Sequence, residues 1–294
     1  MDFDPGPIPT AIDWYENTGK SPPIVSISDI HGYLEEAKSA LMALGETTEY
    51  DPIVTADANR RLHWAGNNYL LLVNGDLIDR GPHNEECIQL IERLAREAPP
   101  GRIRYHLGNH EMAVLFPGRF YWPETYSVDL DRDRRRSFIS HVANGRVPVA
   151  FEGYNYTYSH AGARTPFDVA AVNEQTAAAG SELLAMLDDG RFDDHHEEII
   201  PHYQAVFGLG DSHGGRGPTA GLLWMDLQHM PSDAPPQIVG HSRRPTPTRH
   251  GQVVCQNVIR SNRNSAGGEA VLVESDDRLD AVIREADGVT VRTL

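Results

Sequence analysis

The sequence predicts a layered α/β fold, and three observations carry the prediction. Three short apolar runs in the first half each empty into a polar loop that leads into an amphipathic helix. Residues 252–293 instead alternate as short β segments. The length of 294 residues accommodates one large domain with an ample core. We expect a single domain over residues 1–294, with 1–23 as an N-terminal extension.

Taken in order, residues 24–28 form the first strand and end in Asp29-Ile30-His31-Gly32. A helix over 33–44 follows, with Leu34, Ala37, Leu41 and Leu44 at helical spacing and Gly45 as its stop. Residues 46–68 lack a clear period and read as an insertion, with a short hairpin near Arg61 to Trp64. The central strand, 70–73, ends in Asn74-Gly75-Asp76-Leu77-Ile78-Asp79-Arg80-Gly81. A helix over 83–97 stops at Pro99-Pro100-Gly101. The third strand, 103–107, ends in Gly108-Asn109-His110-Glu111, and a helix begins at Glu111.

Residues 117–131 are rich in aromatics and read as irregular. The mixed-sign run 131–136 reads as the solvated face of a helix rather than a phosphate-docking patch. A hairpin over 147–159 delivers Ser159-His160-Ala161-Gly162, and an alanine-rich helix covers 167–187. Residues 188–198 are dense in aspartate, glutamate and histidine, and we read them as a solvated loop. The glycine-rich stretch 208–221 lacks the Lys-Ser/Thr of a nucleotide P-loop, so that reading is rejected. We expect it to be mobile or close to substrate. A last strand at 237–239 leads to Gly240-His241-Ser242, and the alternating tail is expected to complete a second sheet.

Composition narrows the function. A net charge of −16 argues against a nucleic-acid coat and against binding to anionic membranes. Lys20 and Lys38 are the only lysines, a bias that fits either a saline cytosol or a GC-rich genome. Cys87 and Cys255 are too few for a disulfide framework and read as buried thiols of a reducing compartment. No signal-peptide core or membrane-spanning run is present, so the expected location is cytoplasmic.

The loops carry the chemistry. Asp and His one residue apart can both reach one cation, and a single Asp can bridge two. Carboxylate, imidazole and amide oxygen together suit Mn, Fe or Zn. A lone histidine such as His160 would be structural more often than not, but it follows three ligand-rich loops. Asp-x-His, then Gly-Asp-x-x-Asp-Arg-Gly, then Gly-Asn-His-Glu, in that order, resembles the calcineurin-type metallophosphoesterases, and within them the phosphoprotein phosphatase family. The resemblance covers residues 24–275. Leu222-Leu223-Trp224-Met225-Asp226 is similar to a segment of the eukaryotic members, and Gly240-His241-Ser242 to the Gly-His-Thr of bacterial ones. Trp64-Ala65-Gly66 and the short Gly-His ending point to the prokaryotic, Shewanella-like branch.

The resemblance implies two β-sheets packed face to face with helices outside, a four-layer αββα sandwich. It implies two divalent ions, Mn foremost, with Fe, Zn or Mg as alternatives. Asp29, His31 and Asp76 would hold one ion. Asp76 would bridge to the second, completed by Asn109, His160 and His241. His110, oriented by Asp79, would act as the acid. Arg80, Asn109 and His110 would bind the phosphate under in-line attack by a metal-bridging water. The implied substrates are phosphoserine or phosphothreonine proteins. A dinucleoside polyphosphate hydrolase is the alternative, and a non-catalytic metal-binding scaffold is a third reading. The net charge and the motif form both argue against a nuclease. The chain departs from the family in two places. No arginine lies between Asp226 and Gly240, where the eukaryotic enzymes keep a second phosphate-binding one. Arg216, Arg243 and Arg244 are the available substitutes, with Arg243 taken as the candidate. The family's long C-terminal substrate loop also has no counterpart. Oligomeric state is left open.

Overall fold

A computed structural model describes residues 9–120, 122, 125–210 and 217–294. In chain order the strands are β1 (Ile24–Ile27), β2 (Val54–Ala56), β3 (Leu62–Trp64), β4 (Leu70–Val73), β5 (Ile103–Tyr105), β6 (Ala150–Glu152) and β7 (Thr157–Ser159). They continue as β8 (Gln237–Val239), β9 (Thr248–His250), β10 (Val253–Cys255), β11 (Ala270–Glu274), β12 (Leu279–Glu285) and β13 (Gly288–Thr293). The helices begin with α1 (Asp13–Glu16), α2 (Leu34–Ala43), α3 (Asn84–Glu97), α4 (Asn109–Leu115) and α5 (Arg132–Ala143). They end with α6 (Val169–Asp188), α7 (Phe192–His195), α8 (Gln204–Phe207) and α9 (Ile259–Asn262).

Two sheets carry the fold, one ordered β13-β12-β11-β1-β4-β5 and the other β6-β7-β8-β10-β9. Every residue of β1 and β4 is buried, as expected of strands covered on both faces. The period of two divides them cleanly. Ile24, Leu70, Leu72 and Leu272 of the first sheet share a core with Phe151, Tyr158, Ile238 and Val254 of the second. Val25, Ile27, Leu71 and Val73 join the other core, with Leu41 of α2 and Ile91 and Leu94 of α3. The layers are therefore sheet against sheet with helices outside. No helix among the described residues is long and apolar enough to cross a membrane.

Register explains why the loops meet. β1, β4 and β5 run parallel, with Val73 level with Ile27 on one side and Tyr105 on the other. The loops that follow therefore open along one edge, at the carboxyl ends where α/β sheets bind ligands. The Asn74 amide stitches the second sheet to that edge. Its Nδ2 donates to the carbonyls of Ser159 (3.0 Å) and Ile238 (3.1 Å), and its Oδ1 accepts from His106 Nδ1 at 3.0 Å.

Two expectations need correction. β9 and β10 join the second sheet, but β11, β12 and β13 extend the first, because β11 pairs antiparallel with the free edge of β1. Alternation reveals a strand and its faces, and neighbours are chosen elsewhere. Residues 188–198 hold helical turns, α7 and a 3-10 turn starting at His196, rather than an open loop. Phe192 and His196 bury there, while ion pairs from Arg136 to Asp188 and Arg119 to Glu197 satisfy the acids. The mixed-sign run does open a helix, where Arg134 pairs with Glu85 and Arg136 with Asp188 on the surface and Arg135 is buried against the Val114 carbonyl (2.6 Å). Cys87 and Cys255 are free and buried.

Candidate active site

Backbone bonds zip the first two loops together. Asp29 N–H donates to the Gly75 carbonyl (3.1 Å), His31 N–H to that of Asp76 (2.9 Å) and Gly32 N–H to that of Leu77 (2.9 Å). Gly75 has φ +80°, and a Cβ there would stand 2.6 Å from His160 Nδ1, so only glycine fits. Among the described residues, seven other than glycine have positive φ: Asp29, His31, Arg60, Asp76, Asp79, Arg80 and His241. All but Arg60 belong to the site expected from the sequence. Unfavourable backbone of this kind persists only where the surroundings impose it.

Much of that constraint comes from Glu111, which is fully buried. Its carboxylate accepts from the backbone N–H groups of Asp76 (2.8 Å), Leu77 (2.9 Å) and Gly108 (2.9 Å). Charge-assisted bonds of this type are worth roughly 1.5–3 kcal/mol each, and they counter only part of the burial and of the Asp76 charge, which together still push the carboxyl upward. The second and third loops are thus fixed to each other through one side chain.

The expected ligands converge. His31 Nε2 lies 3.5 Å from Asp76 Oδ2 and 3.8 Å from Asp29 Oδ1. His160 Nε2 lies 3.4 Å from Asp76 Oδ2 and 3.0 Å from Asn109 Oδ1, and His241 Nδ1 is 2.9 Å from that same oxygen. Donor atoms of Asp29, Asp76 and His160 all fall within 4.8 Å of one another, as do those of His31, Asp76 and His110. Electrostatics favour a cation between them. Burial, reinforced by the Asp76 charge, pushes the Asp29 carboxyl up to about 7. Burial pushes His31 down to about 3, keeping it neutral as a ligand must be. Burial opposes charge on His160 as well, but the Asp76 carboxylate outweighs it and pushes the imidazole up to about 10. Two buried carboxylates ringed by imidazoles and an amide oxygen fit divalent ions.

Beside this cluster, His110 Nδ1 is 2.6 Å from Asp79 Oδ2. A carboxylate only accepts, so Nδ1 carries the proton. Arg80 Nη2 is 3.3 Å from the opposite ring nitrogen, Nε2. Asp79 is itself held by Ser127, whose N–H (2.9 Å) and hydroxyl (2.7 Å) both donate to it. The indole of Trp122 stacks on the His110 ring, with centroids 4.4 Å apart, and the Arg80 guanidinium lies 5.3 Å above the same indole. These groups open into a cleft of about 800 Å³ that is also lined by Trp224, Arg243, Arg244 and Arg260.

Every expected ligand and phosphate-site residue named above lies at this edge, with Arg243 and Arg244 at the cleft wall. Arg216 lies outside the described residues. Several residues escaped the sequence reading. Asn257 Nδ2 donates to Asp29 Oδ1 (2.7 Å) and to the His241 carbonyl (2.8 Å), joining the first and last ligand segments. Its one signal was a polar residue following the apolar run 253–255. Glu111 was visible as part of its motif but had no role assigned. Ser127, Trp122 and Arg260 gave no signal.

The calcineurin-like phosphoesterase family profile matches residues 22–284. The chain belongs to that family. Among calcineurin-like phosphoesterases it is similar to Shewanella-like protein phosphatase 1 of Plasmodium berghei. The two are 27% identical over 172 residues, covering 54% of this chain and 44% of the relative. It is 31% identical over 91 residues to Shewanella-like protein phosphatase 2 of Arabidopsis thaliana, covering 30% of this chain and 20% of the relative. The chain thus spans less than half the length of these two relatives. The fold is like that of a cold-active protein-tyrosine phosphatase of a psychrophilic Shewanella species. That match has a TM-score of 0.60 at 16% identity and covers all of this chain and 85% of that one. Both curated relatives carry the name of the Shewanella-like branch that the motifs resemble, and the solved structure shows the shared fold.

Proposed function

We propose that this calcineurin-like phosphoesterase is a dinuclear-metal phosphomonoesterase acting on phosphoserine or phosphothreonine proteins. The observation that carries the reading is the Asp79–His110 pair standing beside Arg80 and against the carboxylate–imidazole cluster. Asp29, His31, Asp76, Asn109, His160 and His241 would hold the two ions. When bound, such ions make water nucleophilic near neutral pH and neutralise phosphoryl charge. Arg80 supplies a planar fork matched to phosphate oxygens. Asn109 places its amide between the two histidines nearest it, next to the phosphate position. His110 presents Nε2 to the cleft because Asp79 occupies Nδ1. Nε2, which faces Arg80 here, would take up a proton once Arg80 turns to the phosphate, and that proton is the one available to the leaving oxygen. Ser127 and Trp122 keep the pair in register and one ring face dry.

A substrate panel with the Mn-loaded protein tests this. Phosphopeptides carrying phosphoserine or phosphothreonine should be hydrolysed faster than a phosphotyrosine peptide, a dinucleoside tetraphosphate or a cyclic-nucleotide diester. Turnover of the dinucleoside tetraphosphate alone would move the chain to the nucleotide hydrolases. No turnover of any ester would leave a metal-binding scaffold.

A further inference from the structure

Four arginines line the cleft beside Asp76 and Asp226, and none of the four is in an ion pair among the described residues. Arg80, Arg243, Arg244 and Arg260 all line it, in a chain whose net charge is −16. Their surroundings differ. Arg243 is exposed, and Arg244 donates to the carbonyl of its neighbour Arg243 at 3.3 Å. Arg260 is half-buried, and its Nε is fully buried without a hydrogen-bond partner. The Nε is closed off from the cleft, so the terminal nitrogens of the guanidinium are the donors that Arg260 can offer to a ligand there.

The backbone that carries Arg260 is rigid. Ile259 beside it is fully buried in the core. Three residues upstream Asn257 is tied to Asp29 and His241, and downstream the Asn262 amide donates to the carbonyls of Pro245 (2.9 Å), Val258 (2.9 Å) and Gly268 (3.0 Å). Burial lowers the affinity of Arg260 for its proton, and the Arg80 and Arg243 guanidiniums act in the same direction. Like charges gathered this way are relieved by an anion among them. A preorganised arginine also loses less freedom on binding than an exposed one.

We infer that Arg260 is the second phosphate-binding arginine of this chain, closing on the phosphoryl group opposite Arg80. The interval 226–240 lacks one, and Arg260 restores the pair from a different segment. Arg243 then serves the outer rim. The inference rests on the phosphoesterase reading, since it presumes that a phosphoryl group occupies the cleft.

The test is calorimetric binding of inorganic phosphate to the Mn-loaded protein, which needs no turnover. Arg260→Ala should weaken phosphate about 10- to 100-fold, the value of a charge-assisted pair. Arg260→Lys should fall between wild type and Arg260→Ala, because it keeps charge but loses the fork. Arg243→Ala should stay within about threefold, as a rim contact does. Metal content and melting temperature are measured alongside, and Arg260→Gln, which keeps length and packing, stands in if Arg260→Ala fails to fold. Phosphate affinity unchanged in the Arg260 variants overturns the inference, and so does a wild-type protein that binds no phosphate. A protein that binds phosphate through Arg260 yet hydrolyses no ester would instead overturn only the proposed activity.

Discussion

His110 Nδ1 donates to Asp79 Oδ2 across 2.6 Å, within a site where Asp79 is fully buried. The pair predicts a selective defect. His110→Asn should leave metal content intact and slow turnover, most severely on alkyl phosphates with poor leaving groups. General acids contribute about 10²–10⁴-fold, and p-nitrophenolate hardly needs the proton. Asp79→Asn should give a smaller loss of the same kind. Turnover on both ester types, with metal analysis in parallel, decides it. An equal loss on both esters would show that His110 is not the acid.

Asp76 reaches toward both candidate donor groups. Chelation should abolish p-nitrophenyl phosphate hydrolysis, and Mn should restore it. Asp76→Asn should cost more activity and more bound metal than Asp29→Asn or His241→Ala. Full activity in chelated protein would refute metal dependence.

Glu111 predicts a stability effect without touching substrate. Glu111→Gln must turn its amide toward a backbone N–H, losing at least one charge-assisted bond, at about 2–3 kcal/mol. The melting temperature of metal-free protein should drop by roughly 3–5 °C. An unchanged melting curve would mean that the carboxylate does not hold the two loops together.

His106 gives a pH dependence. Burial, with Arg104 next, pushes its imidazole down to about 3, against an unfolded value near 6.5. Between those values the unfolded chain takes up a proton that the folded chain refuses. Stability should therefore fall as pH drops through this window, by up to about 1.4 kcal/mol per unit from this group. His106→Gln keeps a donor for Asn74 and removes the titration. Urea unfolding of metal-free protein at pH 7, 6 and 5 should give a shallower acid slope in the variant. Identical slopes would disprove the assignment.

The metal loops were legible in the sequence because their ligands stand beside one another, each at the end of an apolar run. Asp29 and His31 are separated by one residue, and Asn109 and His110 are adjacent, so local order already encodes local geometry. Ser127 and Trp122 come from an irregular stretch, Asn257 and Arg260 from just beyond a short β segment, and all four acquire meaning only when distant loops meet. The placement of β11 beside β1 was hidden for a related reason. Alternation records which face a side chain takes, and the choice of partner strand depends on edges more than two hundred residues apart.

The positive-φ residues of the site carry a consequence for anyone selecting this protein for heat resistance. Glycine at Asp29, His31, Asp76, Asp79, Arg80 or His241 would relax backbone that costs on the order of 1 kcal/mol per position. Where the side chain lost is also a crowded buried charge, as at Asp29 beside Asp76, a screen that rewards survival alone would drift toward such exchanges and enrich sturdier, inert proteins. Durability and activity have to be selected together here, because they compete for the same few residues.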